Sequence, residues 1–316
     1  METIKHMMIK AATDGVASKS RQAYKDHVAD FADWLKNAHG LKSPRQLDGY
    51  DRVMLINAYV GKLVNKGLSP SSIHTYIAPV CKGLGVKMQD VTKPKRTAAS
   101  ITKSRDLGQN DRGYKAAHDP AAARLVMAKK AIGIRRSELL KLRGRDLQTD
   151  INGQLCVYVK SGKGGKDQYQ IILPADQQMV KNLFAGKDPG ELIFTNDEIR
   201  ASKNIDLHAM RAEHARDAYK EYEQIVASGG SQRLKKALIN SFKAYHAGDP
   251  QSAKYMAQMA RFMGEMEGVY RLRGDNRQRA VALGRPVEYN KLAVLCVSVW
   301  HLSHWRNDVT IKHYFV

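Results

Sequence analysis

The chain has 316 residues, more than one hydrophobic core usually serves, so its length predicts two domains. It carries 52 Lys and Arg residues against 31 Asp and Glu residues, a net charge of +21, which indicates a polyanionic partner such as nucleic acid. The longest apolar stretch, KLAVLCVSVW, is too short to span a membrane, and the amino terminus lacks the apolar core of a signal peptide. We therefore expect a cytoplasmic protein with no membrane partner.

The cysteines disfavour a metal site. Cys81, Cys156 and Cys296 are isolated and form no pair with the spacing of zinc ligands, which fits a reducing compartment. The composition therefore predicts neither a structural zinc nor a disulfide framework.

Residues 1–92 are predicted to form a small helical domain. SRQAYKDHVADFADWLKNA places Tyr24, Val28, Phe31 and Leu35 on one stripe at helical spacing. DRVMLINAYVGKLVNKG predicts a second helix that ends near a glycine, and SPSSIHTYIAPVCKGLG begins with a Ser-Pro pair typical of a helix start. The first third of the chain is thus expected to be all α.

Residues 93–105 are basic and poor in large apolar side chains, as in an exposed linker. A solvated tether is one interpretation, but the charge of the whole chain favours contact with a DNA backbone. The predicted DNA-binding residues of this linker are Lys93, Lys95, Arg96, Lys103 and Arg105.

Residues 106–316 are predicted to be mainly helical with one small antiparallel sheet. The runs QLCVYVK and QYQIILP alternate as strands do and are separated by the turn-rich SGKGGKD, which indicates a hairpin. ELIFT is a candidate third strand, and IDLHAMRAEHARDAYKEYEQIV is a long helix. The predicted fold class is α+β, mainly α.

Three motifs in this half carry chemistry-bearing side chains. AIGIRRSELL places Arg135 at a helix start with Glu138 three residues on, where a carboxylate can hold a guanidinium. SGKGGKD presents Lys163 at a hairpin tip and lacks the glycine spacing of a phosphate-binding P-loop. LHAMR puts His208 and Arg211 on one helix face. Each motif in isolation is as typical of an ordinary basic turn or solvated helix as of a site.

The order of the motifs resembles that of the tyrosine recombinases, the phage-integrase family. That family has G-L-R-x-S-E, a G-K-G hairpin lysine, H-x-L-R and L-G-H followed by a tyrosine; this chain has GIRRSE, GKGGK, HAMR and LSH before Tyr314. The resemblance covers roughly residues 15–225 and 290–316. It implies a helical, SAM-like core-binding domain followed by a catalytic domain.

The resemblance also implies roles for individual residues. Arg135 and Arg211 would grip the scissile phosphate, a fork geometry that lysine cannot copy, and Lys163 would protonate the leaving 5′ oxygen. Tyr314 would be the nucleophile that forms a 3′-phosphotyrosyl link, so neither a metal, nor ATP, nor another cofactor is needed. His208 would act as the acid/base and His304 would hydrogen-bond the phosphate, with Glu138 in a supporting position.

Three departures from the family pattern affect these expectations. The family usually has the tyrosine nine positions after the L-G-H histidine, whereas Tyr314 lies ten positions after His304 and nine after Trp305. Trp305 is therefore an alternative to His304. The histidine that usually follows the second arginine is displaced to His214, and residues 228–287 look inserted. A methionine stripe in this insert indicates either core packing or an adaptable contact with another protomer or with DNA.

The expected function is site-specific DNA recombination or integration in a mobile element. Its partners would be double-stranded DNA sites and other copies of the same chain, which would assemble as a tetramer on two such sites. When bound to DNA, the protein would be associated with the nucleoid. A type IB topoisomerase-like strand transferase and a catalytically silent architectural DNA-binding protein are the alternatives.

Overall fold

The computed structural model describes residues 3–97, 118–162, 165, 167–246 and 248–316. The chain divides into two compact units, Met1–Thr102 and Lys103–Val316. The described part of the first unit is helical. That of the second is mainly helical with a three-stranded and a two-stranded antiparallel sheet, so the predicted α+β, mainly α class is confirmed and the second sheet is additional. The structural division falls near the carboxyl end of the predicted basic linker.

In the described part of the first unit, residues 3–97, four α-helices surround an aromatic and aliphatic core. The predicted stripe on the second helix is buried at Val28, Phe31 and Leu35, and the Phe31 ring packs edge-on against Tyr59 with centroids 5.0 Å apart. Ser69 caps the fourth helix as predicted, its side chain accepting from the Ser72 amide. The helices are α1 (Ile4–Thr13), α2 (Ser18–His39), α3 (Arg52–Asn65) and α4 (Pro70–Leu84).

The second unit contains the predicted hairpin within a three-stranded antiparallel sheet. Strand order is β1-β2-β3, with Val157 opposite both Leu147 and Gln170. The sequence ELIFT, a candidate strand, forms only an isolated bridge at Leu192 to Arg143, because the chain turns before a ladder develops. The strands are β1 (Leu147–Thr149), β2 (Leu155–Val159) and β3 (Gln168–Ile171).

Helices surround this sheet before and after it. The long helix α9 is capped by Asp206, whose carboxylate accepts from the amides of His208 and Ala209. The helices are α5 (Ala123–Ile132), α6 (Arg136–Leu139), α7 (Gln177–Phe184), α8 (Asn196–Ala201) and α9 (Leu207–Ala227).

The inserted segment joins the core of the second unit. Its residues Phe242, Tyr255 and Phe262 are buried in the same apolar cluster as α13 and Tyr314. The elements from the insert onwards are α10 (Ser231–Tyr245), α11 (Ala253–Gly264), β4 (Val269–Arg271), α12 (Gly274–Ala282), β5 (Glu288–Asn290), α13 (Lys291–Trp300), α14 (Asn307–Thr310) and a π-helical turn, Ile311–Phe315.

The predicted methionine stripe (Met256, Met259, Met263 and Met266) runs along α11 and just past its end, and it is divided between core and surface. Met266 is buried and Met259 packs against the core, whereas Met256 and Met263 are about half exposed. The stripe therefore serves the core along one edge and faces outward along the other.

None of the helices in the described ranges is long and apolar enough to cross a membrane.

Candidate functional site

The turn that leads to Arg135 begins at Gly133, a position that only glycine can occupy. Helix α5 ends at Gly133, which has φ +70°, and a Cβ built there would lie 2.1 Å from the His214 ring. Left-handed backbone already disfavours other residues, and the ring leaves no space for a side chain. The Gly-Ile-Arg sequence is therefore a tight exit from α5 that places Arg135 at the start of α6.

Two side chains from different elements orient the Arg135 guanidinium. Its Nη1 donates to Glu138 Oε1 at 2.9 Å and to Gln168 Oε1, at the start of β3, at 3.1 Å. Burial alone would raise the pKa of Glu138, but the charge and hydrogen bonds of Arg135 outweigh burial and lower it. Glu138 is therefore an ionised carboxylate that holds the Arg135 guanidinium in place.

Arg211 is a completely buried cation. Its Nη2 donates to the Leu302 carbonyl at 3.0 Å and its Nη1 to the Gly133 carbonyl, while Nε has no hydrogen-bond partner among the described residues. Burial lowers the pKa of Arg211, and the phenol of Tyr314 opposes that shift. Within the described ranges, no carboxylate forms an ion pair with Arg211. A desolvated guanidinium with a spare donor is suited to an incoming anion.

Tyr314 lies beside this cation with an imidazole on its hydroxyl. The guanidinium carbon of Arg211 is 5.8 Å from the centre of the Tyr314 ring, and Nε2 of His304 is 3.3 Å from its hydroxyl oxygen. The exposed His208, in the first turn of α9, has its ring centre 5.8 Å from that of Tyr314. The structure thus brings together two arginines, two histidines and the tyrosine from three regions of the sequence, at residue 135, residues 208–211 and residues 304–314.

Trp305 lies against the insert instead. Its ring centre is 4.3 Å from that of His246 and 5.7 Å from that of Phe262. Ser303 and Trp305 both have positive φ, 54° and 58°, so the chain reverses around His304 and sends neighbouring side chains in different directions. Of the two alternatives, His304 is the residue that reaches Tyr314.

The hairpin lysine, Lys163, lies outside the described residues. The hairpin around it is closed by Asp167, which accepts from the Tyr158 hydroxyl at 2.7 Å and from the Ser161 amide at 2.9 Å. Gln168 follows directly and contacts both Arg135 and Glu138, so the base of the hairpin is part of the site.

Three of the five predicted linker cations are described. Lys95 and Arg96 are exposed, and Lys93 is partly buried with Nζ donating to the Val91 carbonyl at 3.0 Å. Lys103 and Arg105 lie outside the described residues.

The sequence analysis missed a buried lysine beneath the arginines. Lys129 has no exposed surface, and its Nζ donates to the Ile134 carbonyl. Burial lowers the pKa of Lys129 well below its usual value, and the nearby Arg211 lowers it further, while Glu138 opposes the shift. A lysine in the amphipathic pattern of α5 gives no signal that separates it from its exposed neighbour Lys130.

A buried chain of aromatic and imidazole groups lies behind Arg211. The carbonyl of Lys130 can only accept, so His214 Nδ1 donates to it at 2.6 Å and His214 Nε2 accepts from His301 Nδ1 at 2.9 Å. His301 Nε2 then accepts from the Tyr222 hydroxyl at 3.0 Å. The displaced His214 therefore connects α9 with the end of α13, and its isolated position in the sequence gave no sign of this.

In the described ranges no cluster of three His, Cys, Asp or Glu residues is arranged to hold a metal ion. The side chains near Tyr314 include the guanidinium of Arg211, and Arg135 lies beside that guanidinium. They are suited to binding an anion directly.

No family model matches the chain, and none of the curated proteins does. Solved structures that are similar to the chain include two recombinases. One is described as the XerH site-specific recombinase bound to palindromic difH substrate in a post-cleavage complex; it is 16% identical, with 69% of this chain and 74% of that chain covered and a TM-score of 0.41. The other, XerA recombinase, is 20% identical, with 67% and 82% covered and a TM-score of 0.24.

Proposed function

We propose that this chain is a site-specific DNA recombinase of the tyrosine type, acting through a covalent 3′-phosphotyrosyl intermediate. The observation that carries the proposal is Arg211, a buried cation with an unpartnered N–H beside the Tyr314 ring. Arg135 and the His304 contact with the hydroxyl complete a site for a phosphodiester and a nucleophile. The order of motifs in the sequence is the independent support.

The proposed reaction exchanges one phosphodiester for another. The Tyr314 oxygen attacks phosphorus, a P–O bond to tyrosine forms, and the P–O5′ bond breaks. The phenol proton passes to an imidazole, either His208, the predicted acid/base, or His304, whose Nε2 lies 3.3 Å from the oxygen. The leaving 5′ oxygen takes a proton from Lys163, and the two arginines stabilise charge on the non-bridging oxygens.

The reverse reaction completes recombination. A 5′-hydroxyl of another strand attacks the phosphotyrosyl bond, which has kept the energy of the original diester, so ATP hydrolysis has no place in the scheme. Residues 1–92 and the linker at 93–105 would hold duplex DNA, and a tetramer of this chain would bring two sites of a mobile element together.

The test is covalent capture from a library of nicked duplexes with a randomised core. DNA that survives denaturing purification with the protein is sequenced, and the recovered site is then used with wild type and Tyr314→Phe. We expect an adduct with the wild type and none with Y314F, because only the nucleophilic oxygen has been removed.

Two outcomes would overturn the proposal. DNA binding without any wild-type adduct would indicate an architectural protein. Adduct formation with relaxation of supercoiled DNA, but no exchange between two recovered sites, would indicate a topoisomerase-like strand transferase.

A further inference from the structure

The residues that follow the nucleophile are buried in an aromatic cluster of the same chain. Phe315 is 1% exposed, and its ring centre is 5.2 Å from those of both Tyr219 and Tyr289. Tyr219 comes from α9 and Tyr289 from β5. Because Phe315 is the next residue after Tyr314, its fixed ring restrains the backbone from which the phenol projects.

Two arginines hold the carbonyls of this last turn. Arg216 Nη1 donates to the Tyr314 carbonyl at 3.1 Å, and Arg285 Nη1 donates to the Phe315 carbonyl at 3.3 Å. The amide of Val316 closes the π-helical turn by bonding to the Ile311 carbonyl at 3.1 Å. Carbonyls at a helix end need such partners, so these bonds fix where the turn stops.

The aromatic residues around Phe315 are held in place by β5, the strand that follows the insert. The amide of Asn290 donates to the Tyr219 hydroxyl at 3.0 Å, and that hydroxyl donates to Glu223 at 2.6 Å. The rings of Tyr219 and Tyr289 pack edge-on with centres 5.4 Å apart. The strand β5 is thereby fastened to α9, the helix that carries Arg211.

We propose that Arg285 and Tyr289 are positioning residues for Tyr314, and that the insert and the strand after it hold the nucleophile of their own chain in cis. This proposal rests on the proposed function. In the sequence, the insert lies between Arg211 and the L-S-H motif. In the structure, Arg285 near the end of the insert contacts Phe315, the residue that follows Tyr314. Reactions of this kind are sensitive to placement, and an error of about 1 Å costs on the order of 100-fold in rate.

The first test compares Arg285→Met with Arg277→Met. Both remove one positive charge from the same stretch, and Arg277 is exposed on α12. We expect R285M to slow single-turnover adduct formation at saturating DNA by about tenfold or more, with unchanged DNA affinity. R277M should match the wild type, and Arg285→Lys should restore part of the rate.

A mixing experiment separates action in cis from action in trans. Y314F supplies Arg285 without a nucleophile, and R285M supplies the nucleophile without Arg285. If Arg285 acts on its own chain, the mixture remains as slow as R285M alone. Recovery of the wild-type rate in the mixture would overturn the cis assignment.

A measurement without DNA keeps this proposal distinct from the proposed function. Nitration of Tyr314 by tetranitromethane, followed by peptide mass spectrometry, reports whether the phenol is still held in place. We expect faster nitration of Tyr314 in R285M and in Tyr289→Leu than in R277M, at equal melting temperature. Equal nitration in all variants, or an R285M adduct rate equal to that of R277M, would refute the positioning role; absence of any wild-type adduct would refute the recombinase instead.

Discussion

Arg211 shows most directly what the site requires. A guanidinium without exposed surface is costly unless its N–H groups are satisfied, and here backbone carbonyls satisfy only part of them. The unsatisfied Nε and the lack of a carboxylate ion pair within the described ranges leave a net positive charge in a desolvated place. Such a charge is far more effective toward a phosphate than the same charge at the surface.

Arg211→Lys tests this single side chain. Lysine keeps the charge, but its three donors lie on one tetrahedral nitrogen. That nitrogen cannot reach the three separate positions that the guanidinium nitrogens occupy, at the Gly133 carbonyl, at the Leu302 carbonyl and at the open Nε. We expect the rate of adduct formation to fall by at least about 100-fold, comparable with loss of a transition-state donor elsewhere. The matched control is Arg200→Lys, which changes an exposed arginine paired with Asp197.

A normal adduct rate in R211K, measured under single-turnover conditions, would contradict the phosphate-binding role. A loss in R200K of the same size would show that the effect is not local.

At single residues, the motifs of the sequence singled out Arg135, Arg211 and His304, which lie near Arg211 or Tyr314 in the structure, and left one choice open. The catalytic roles of these residues stay predictions. His304 and Trp305 could not be separated by counting positions, because two positive-φ residues decide which side chain turns inward. Lys129 was missed since its burial depends on tertiary packing that a helical pattern does not encode.

Among the elements, the turn after α5 controls the position of Arg135. Gly133 has a left-handed backbone conformation, and the His214 ring occupies the space that a side chain at this position would need. Gly153 has a similar φ of +74° and open space around it. Alanine substitutions at the two glycines therefore separate the cost of a left-handed backbone from the cost of a steric clash with the His214 ring.

Gly133→Ala should destabilise the protein more than Gly153→Ala. Both variants place a Cβ in the left-handed region, at a cost of about 1–2 kcal/mol. Only G133A also forces the His214 ring to move, which adds about 1–3 kcal/mol for overpacking. Urea unfolding followed by circular dichroism measures the difference, and equal midpoints for the two variants would show that the ring moves aside freely.

The elements were predictable where periodicity or turn chemistry is strong. The predicted helices and the hairpin strands β2 and β3 are confirmed, but α1, β1 and the pair β4–β5 were not predicted. Each of the three missed strands has three residues, too few for an alternating pattern. ELIFT has strand-like composition but bonds at one bridge only, because tertiary context overrides propensity in so short a run.

For the whole molecule, two buried histidines link folding to pH. Burial lowers the pKa of His214 to about 4 and that of His301 well below its usual range. Unfolding exposes both rings, which then titrate near pH 6.5. Between these values the unfolded chain binds protons that the folded chain excludes, so the free energy of unfolding falls as the pH is lowered.

We expect this loss to begin near pH 6.5 and to continue toward pH 4. Each histidine contributes up to about 1.4 kcal/mol per pH unit. Urea unfolding at a series of pH values measures the slope, and His301→Asn should reduce it by one histidine's share. A wild-type free energy of unfolding that is constant from pH 6.5 to 4.5 would contradict the buried, neutral pair.

The turn from Lys130 to Ile134 is fastened at three of its carbonyls. His214 bonds to that of Lys130, Arg211 to that of Gly133, and Lys129 to that of Ile134. Two of these three donors stand on α9, so the turn that carries Arg135 is tied to the helix that carries Arg211. The entropic cost of fixing the distance between the two guanidiniums is therefore met when the chain folds. In the proposed function, the binding energy of the phosphate does not have to offset that cost.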